Sequence, residues 1–473
     1  MAGFLLLMCG AVSAADCLSG VRLVSTKASV PNLVVGPAAF SGNVLAVAKS
    51  EESDPDHIWL GLYGEDLSTI AADRLVATDA ADDQAIVALL FTGTEFGLFY
   101  RTDDVIRLQR LTVTGDPIGA PIAVNPDRGP RLADQIEVIW SDVISAYVVA
   151  RHISTGRNRG IWVTVLERDG SERSDVEIPA VPPADPFLAV DVASDGTIGI
   201  FHLTTDDNTL LFSRIIAGRF FPQTRSIASF GTNVRTVVID DLFVVVRQVG
   251  EGQTAEIRWF IVNSDDEIVR PDGVLVASDG MSVLQPLGLT AVGNELALTY
   301  AIPPSTATVI PDMRLRRFTV AGSLISDTRF AGNDFAGSRA LSIFPPVWTG
   351  TSFVSAAVRE ATSRVDSYLV RYCPLRAQID APAVVAPGQL VTIRALATGG
   401  VPPYKYAWTI TRDPGGSRAA QSVQRTFTSL GERLITLVVT DDTGATITAT
   451  STISVNEIIV EPVVKKRRRS AKK

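Results

Sequence analysis

Apolar and polar positions along this chain alternate over short runs, and the runs are broken by Gly, Pro, Asp and Asn rather than continued at helical spacing. Val, Ile, Leu and Thr dominate these runs, so the pattern predicts strands throughout. Seven times a buried-looking run enters a tight turn and a second apolar run follows at once. The clearest copies are FTGTEFGLFY at Phe91–Tyr100 and WTGTSFVSAAV at Trp348–Val358. Taking the turn residue as marker gives Gly42, Gly93, Asp142, Gly196, Asp241, Gly293 and Gly350, spaced 45 to 57 residues apart. A third run follows each hairpin, often pairing an aromatic residue or Leu with Arg, as in Val105–Gly115, and a fourth follows that. The alternation within each run covers both faces of the resulting sheet.

Self-similarity at that period, with only strand-like material between copies, predicts an all-β fold: a seven-bladed β-propeller over residues 17–375. The seventh repeat stops early, because YLVRYC runs directly into PLRAQID with no fourth strand of its own. At the other end, Cys17–Ser25 is a lone strand-like segment without a partner in the first repeat. The economical solution gives this segment to the seventh blade, which closes the ring and removes two exposed sheet edges. That places Cys17 beside Cys373 and predicts a disulfide. A bridge across more than 350 residues is worth roughly 4–5 kcal/mol in the chain-entropy account.

The repeats resemble those of bacterial seven-bladed propellers whose blades carry a W/F-x-G-x-x-F/Y turn and then an I-x-x-x-R-x-x-x-x-G strand. Phe91, Gly93 and Phe96 match the turn, Ile106, Arg110 and Gly115 match the strand, and Trp348, Gly350 and Phe353 repeat the turn. From Ile379 the rhythm changes to longer strands, with Trp408 in mid-segment. Residues 378–456 resemble the PKD domain, a small Ig-like β-sandwich. The matching positions are Gly399, Gly400, Pro403, Tyr404, Tyr406 and Trp408, then Phe427, Gly431, Leu434, Thr436, Val438 and the turn Asp441–Gly444. The Gly-Asp-Gly turn usual after the family's tryptophan is replaced here by WTITRDPGG, which argues against a cation or ligand at that turn. Trp408 is then expected in the sandwich core.

The ends change the picture further. Phe4–Ala15 is apolar but too short for a bilayer, which needs ~20 residues, and Ser13, Ala14 and Ala15 offer a cleavage site. Residues 1–15 therefore read as a secretory signal peptide, although a positive leader is missing. The net charge of −8 hides an asymmetry: the last nine residues hold seven positive charges, leaving 36 basic against 51 acidic residues elsewhere. Residues 457–473 read as a disordered basic tail. Behind a signal peptide, Lys465, Lys466, Arg467, Arg468, Arg469, Lys472 and Lys473 suit an anionic envelope surface better than a specific nucleic acid.

Candidate chemistry is sparse. The three histidines have no metal-binding spacing, and no nucleophile elbow, phosphate loop or dinucleotide fingerprint occurs. No catalytic residue, metal site or cofactor is predicted. Acidic doublets such as Asp82–Asp83 and Asp265–Asp266 lack calcium-loop spacing and read as turns. Charged residues do gather in the connections expected at one end of the ring, where variable loops on a rigid frame carry function. Asp54, Asp56, His57, Asp103, Asp104, Arg157, Arg159, Asp206 and Asp207 are the candidate binding residues. These features predict an exported bacterial protein, secreted, periplasmic or at the cell surface, that binds or adheres to an extracellular polymer or protein. The alternative is a secreted carbohydrate-active hydrolase or lyase with a PKD-like accessory module. That enzyme would need two carboxylates roughly 5–10 Å apart in the central cleft.

Overall fold

The computed structural model describes residues 20–28, 33–51, 54–80, 86–102, 105–125, 133–153, 160–178, 188–203, 209–216, 219–228, 232–250, 254–277, 284–302, 312–331, 340–361, 364–400, 402–412, 419–442 and 444–457. Among them the regular elements are all strands. The chain divides into two compact units, one spanning Ser19–Cys373 and one containing Pro374–Lys473.

In the first unit, six antiparallel four-stranded sheets follow one another over residues 33–77, 86–124, 133–178, 189–228, 232–276 and 285–331. Each is a simple up-and-down meander. A seventh sheet is built from residues 340–372 together with Gly20–Ala28, which pairs antiparallel with Arg364–Tyr372. The lone N-terminal segment therefore supplies the missing outer strand, as its unpaired alternation suggested. The innermost strand of this sheet is split into Ala340–Ile343 and Val347–Trp348, with Pro345 and Pro346 between them. Proline has no amide hydrogen to give a ladder, so the strand breaks there.

The hydrophobic clusters lie between consecutive sheets. Leu60 of the first sheet packs in one cluster with Leu98 of the second, and Val163 of the third with Ile200 of the fourth. Leu45 and Val47 of the first sheet share a cluster with Val354 and Leu369 of the seventh. Packing thus runs sheet to sheet and returns to its start, which makes the architecture propeller-like. The second strands are covered on both faces, and Ala146–Ile153 is buried at every position. The tight turns of the clearest repeats need glycine for backbone reasons: Gly93 has φ +87° and Gly350 +93°, with open space where a Cβ would stand.

Polar contacts repeat across the sheets as well. Asp73, Asp175, Asp272 and Asp327 sit mid-way along fourth strands, and all but Asp175 pair directly with a group two strands inward. Lys49 reaches Asp73, Arg247 reaches Asp272 at 3.0 Å, and the Tyr300 hydroxyl reaches Asp327 at 3.0 Å. Arg151 works through the Thr164 hydroxyl, which donates to Asp175 at 2.8 Å.

In the second unit, a three-stranded sheet (Arg376–Asp380, Leu390–Thr398, Ser422–Thr426) and a four-stranded sheet (Val384–Val385, Lys405–Ile410, Gly431–Thr440, Thr446–Val455) enclose one core. Trp408 is 1% exposed in that core, and its indole N–H donates to the Ala420 carbonyl at 2.8 Å. The strict alternation of Leu390–Thr398 sends Val391, Ile393 and Ala395 inward and Leu390, Thr392 and Arg394 to solvent.

Candidate functional site

Most of the candidate binding residues fall outside the described residues: Asp103, Asp104, Arg157, Arg159, Asp206 and Asp207 all do. Asp54, Asp56 and His57 lie on the strand Asp54–Tyr63, where His57 is half-buried and the two Asp side chains are not among those described. Cys373 is fully buried just beyond Tyr372, and Cys17 lies outside the described residues. So do the signal segment and the basic tail.

Sequence reasoning looked at the loops and missed the axis. The innermost strands of the ring enclose a channel of about 640 Å³, to which all seven sheets contribute residues. Its wall is polar and apolar in nearly equal parts: Val87, Leu90, Leu287 and Phe344 are among its apolar lining side chains, and among the described residues its polar side chains are Gln135, Glu137 and Arg235.

Innermost strands are paired on one side only, so their channel-side backbone groups need other partners. Side chains provide them from sheet to sheet. Gln135 accepts from the Leu188 amide at 2.8 Å. Asp191 accepts from the Val192 and Val238 amides, both at 2.8 Å. Arg235 donates through Nε to the Leu287 carbonyl at 2.9 Å and through Nη1 to the Val234 carbonyl at 2.8 Å. The Thr290 hydroxyl donates to the Pro346 carbonyl at 2.6 Å.

Two carboxylates therefore stand on neighbouring inner strands, and their environments differ. Glu137 is open to the channel water yet ringed by protein on every side. Burial raises its pKa, an effect that the charge of Arg235 opposes. Asp191 is pushed up from 3.8 to about 7 by burial, against the lowering effect of its two amide donors and with a further push from Glu137. Both oxygens of Asp191 are occupied by amides, so it is a latch between strands. Glu137 is the carboxylate that a ligand in the channel would meet. Sugar cleavage needs two carboxylates facing the central cleft, and of this pair Glu137 alone is among the channel-lining residues. Glu137 and Arg235 each sit four residues before the last residue of their strands, Ala133–Ser141 and Thr232–Ile239, so they face the channel at similar depth.

A second constellation has nucleophile–base geometry but no access. His202 Nε2 lies 3.0 Å from the Ser213 hydroxyl, and both residues are buried within one sheet at 1% and 0% exposure. Substrate has no route to it. Among the described residues no group of three or more His, Cys, Asp and Glu side chains is gathered as a metal site.

No family model and no curated protein matches the chain. Among solved structures it is similar to prolyl endopeptidases (13% identity, TM-score 0.43, covering 79% of this chain and 55% of that one). It is also similar to the β-propeller domain of the Trilobed protease from Pyrococcus furiosus (9%, 0.46, 72% and 96%). A third is a puromycin-hydrolyzing peptidase of Mycobacterium tuberculosis (12%, 0.45, 79% and 61%). The chain spans little more than half the length of the two full peptidases. The likeness concerns the fold, which is all-β and propeller-like. It also corrects an expectation: the neighbours are peptidases, not adhesins. In this the neighbours stand against the expected binding or adhesion role and with the hydrolase of the alternative reading.

Proposed function

We propose that the chain is a hydrolase that engages an extended peptide in the axial channel of a seven-bladed propeller. The observation that carries this is the make-up of the channel: a wall of mixed polar and apolar surface around a carboxylate, Glu137, and a braced guanidinium, Arg235. Glycan recognition relies on dense hydrogen bonding and aromatic platforms, and among the described residues Phe344 is the one aromatic that lines the channel. A peptide brings apolar side chains for the wall and amide groups for the polar residues, so the peptide form of the hydrolase reading is favoured over the carbohydrate form.

Glu137 is the proton-moving group in this reading. Its carboxylate takes a proton from water as the water oxygen attacks the scissile carbonyl carbon. It then returns that proton to the departing amine nitrogen as the C–N bond breaks. The raised pKa makes it a stronger base than an ordinary surface carboxylate at neutral pH. A PKD-like sandwich as accessory module, export, and a Cys17–Cys373 bridge belong to the same proposal. Its support is the buried two-sheet core around Trp408 and a Cys373 that is disulfide-bonded.

The test is incubation with a mixture of unmodified peptides, with new termini read by mass spectrometry. Wild type should generate new termini, and Glu137→Gln should slow them by roughly 10²-fold or more, the usual scale of general acid–base catalysis. Equal rates for the two proteins would overturn the role of Glu137, and no new termini at all would overturn the hydrolase.

A further inference from the structure

Arg235 has a feature that bracing the strands does not explain. A guanidinium carries five N–H donors in a rigid fork. Two are engaged, Nε–H with the Leu287 carbonyl and one Nη1–H with the Val234 carbonyl. One Nη1 hydrogen and both Nη2 hydrogens remain, the set that meets a carboxylate end-on. The two carbonyls also fix the plane of the group before any ligand arrives, so little rotamer freedom is lost on binding.

We infer that Arg235 holds the free C-terminal carboxylate of a peptide lying in the channel, so that the protein engages peptides by their C-terminal end. This rests on the reading of the channel as a peptide site and adds the group that is recognised and the direction of entry. Charge sets that direction. Glu137 faces the same channel at similar depth. It repels a carboxylate placed on its own side and accepts hydrogen bonds from peptide N–H groups, which leaves the Arg235 side as the seat for the negative end. Leu287, whose carbonyl braces the guanidinium, also lines the channel wall, so an apolar C-terminal side chain fits beside it.

The experiment uses the full chain and one hexapeptide ending in Leu, made as the free acid and as the C-terminal amide, with affinity read by fluorescence anisotropy. The free acid should bind at least tenfold more tightly than the amide. Arg235→Gln should abolish that difference, and Arg235→Lys should retain part of it, because Lys keeps the charge but loses the fork. The comparison of acid with amide on wild type needs no variant, so it stands even where Arg235→Gln fails to fold. Equal affinity for acid and amide would overturn the inference while leaving the peptide site intact. Failure of both peptides to bind would overturn the peptide site itself. Tighter binding of an oligouronate than of either peptide would assign the guanidinium to an acidic glycan and overturn the inference.

Discussion

Asp191→Asn should change how stability depends on pH. In the folded chain this carboxyl is carried from 3.8 to about 7, chiefly by burial. The native state therefore keeps a proton that the unfolded chain releases near its ordinary value, so it binds more protons over that whole interval. Stability linked to this group is fully present below pH 3.8 and is lost as pH rises through about 7. At 1.36 kcal/mol per pKa unit the total is about 4 kcal/mol. Roughly 1.5 kcal/mol of it is gone by pH 5 and nearly all by pH 8, so about 2.5 kcal/mol falls inside that range. Asparagine does not titrate there. It keeps one acceptor for the Val192 and Val238 amides and loses the other, a pH-independent offset of about 1 kcal/mol. Urea denaturation of both proteins at pH 5, 6, 7 and 8 should show wild type losing about 2.5 kcal/mol more than the variant across the series. Parallel profiles, or a wild type that gains on the variant as pH rises, would refute the assignment of Asp191 as a buried, proton-holding latch.

Three further outcomes are expected. Asp272→Ala removes the carboxylate that Arg247, itself 1% exposed, meets at 3.0 Å and should lower unfolding free energy by about 3–5 kcal/mol in denaturant titrations, as when a buried ion pair loses one member; a loss under 1 kcal/mol would contradict it. Gly97→Val should destabilise by about 1–3 kcal/mol or more, because a Cβ there runs into the buried Tyr147 ring, and an unchanged melting temperature would show that the ring can yield. Cys373→Ser and Cys17→Ser should lower stability equally, by roughly 4 kcal/mol, and two free thiols in thiol-labelled protein from an oxidising compartment would break the proposed closure.

The strand order of the ring was legible because each repeat announces itself locally. A turn glycine such as Gly93 follows one apolar run and precedes another, and the unpartnered run near Gly20 had one sheet short of a strand to join. The channel was not legible. Gln135, Glu137, Asp191, Arg235 and Thr290 lie at dissimilar sequence spacings on four innermost strands, with only their neighbours across the ring to relate them. Glu137 reads in the sequence as one more polar position of an alternating strand, and its meaning depends on closure bringing Arg235 to the same depth. The fourth-strand aspartates were hidden for a similar reason: Asp73, Asp272 and Asp327 find donors two strands away, and Asp175 reaches Arg151 at that remove through Thr164. Loop residues drew attention because charge clusters are visible in one dimension, whereas a site built from single residues of many strands is not.

The central claim is that substrate enters the axial channel, and a photo-reactive peptide tests it most directly. A hexapeptide carrying a benzoylphenylalanine, irradiated with the full chain and mapped by mass spectrometry, should attach to Val87–Leu90, Gln135–Val138 or Phe344–Val347, the channel segments of three different sheets. Excess unlabelled peptide should suppress the attachment. Attachment confined to the connections that carry Asp103, Arg157 or Asp206, with the channel segments unlabelled, would contradict the account.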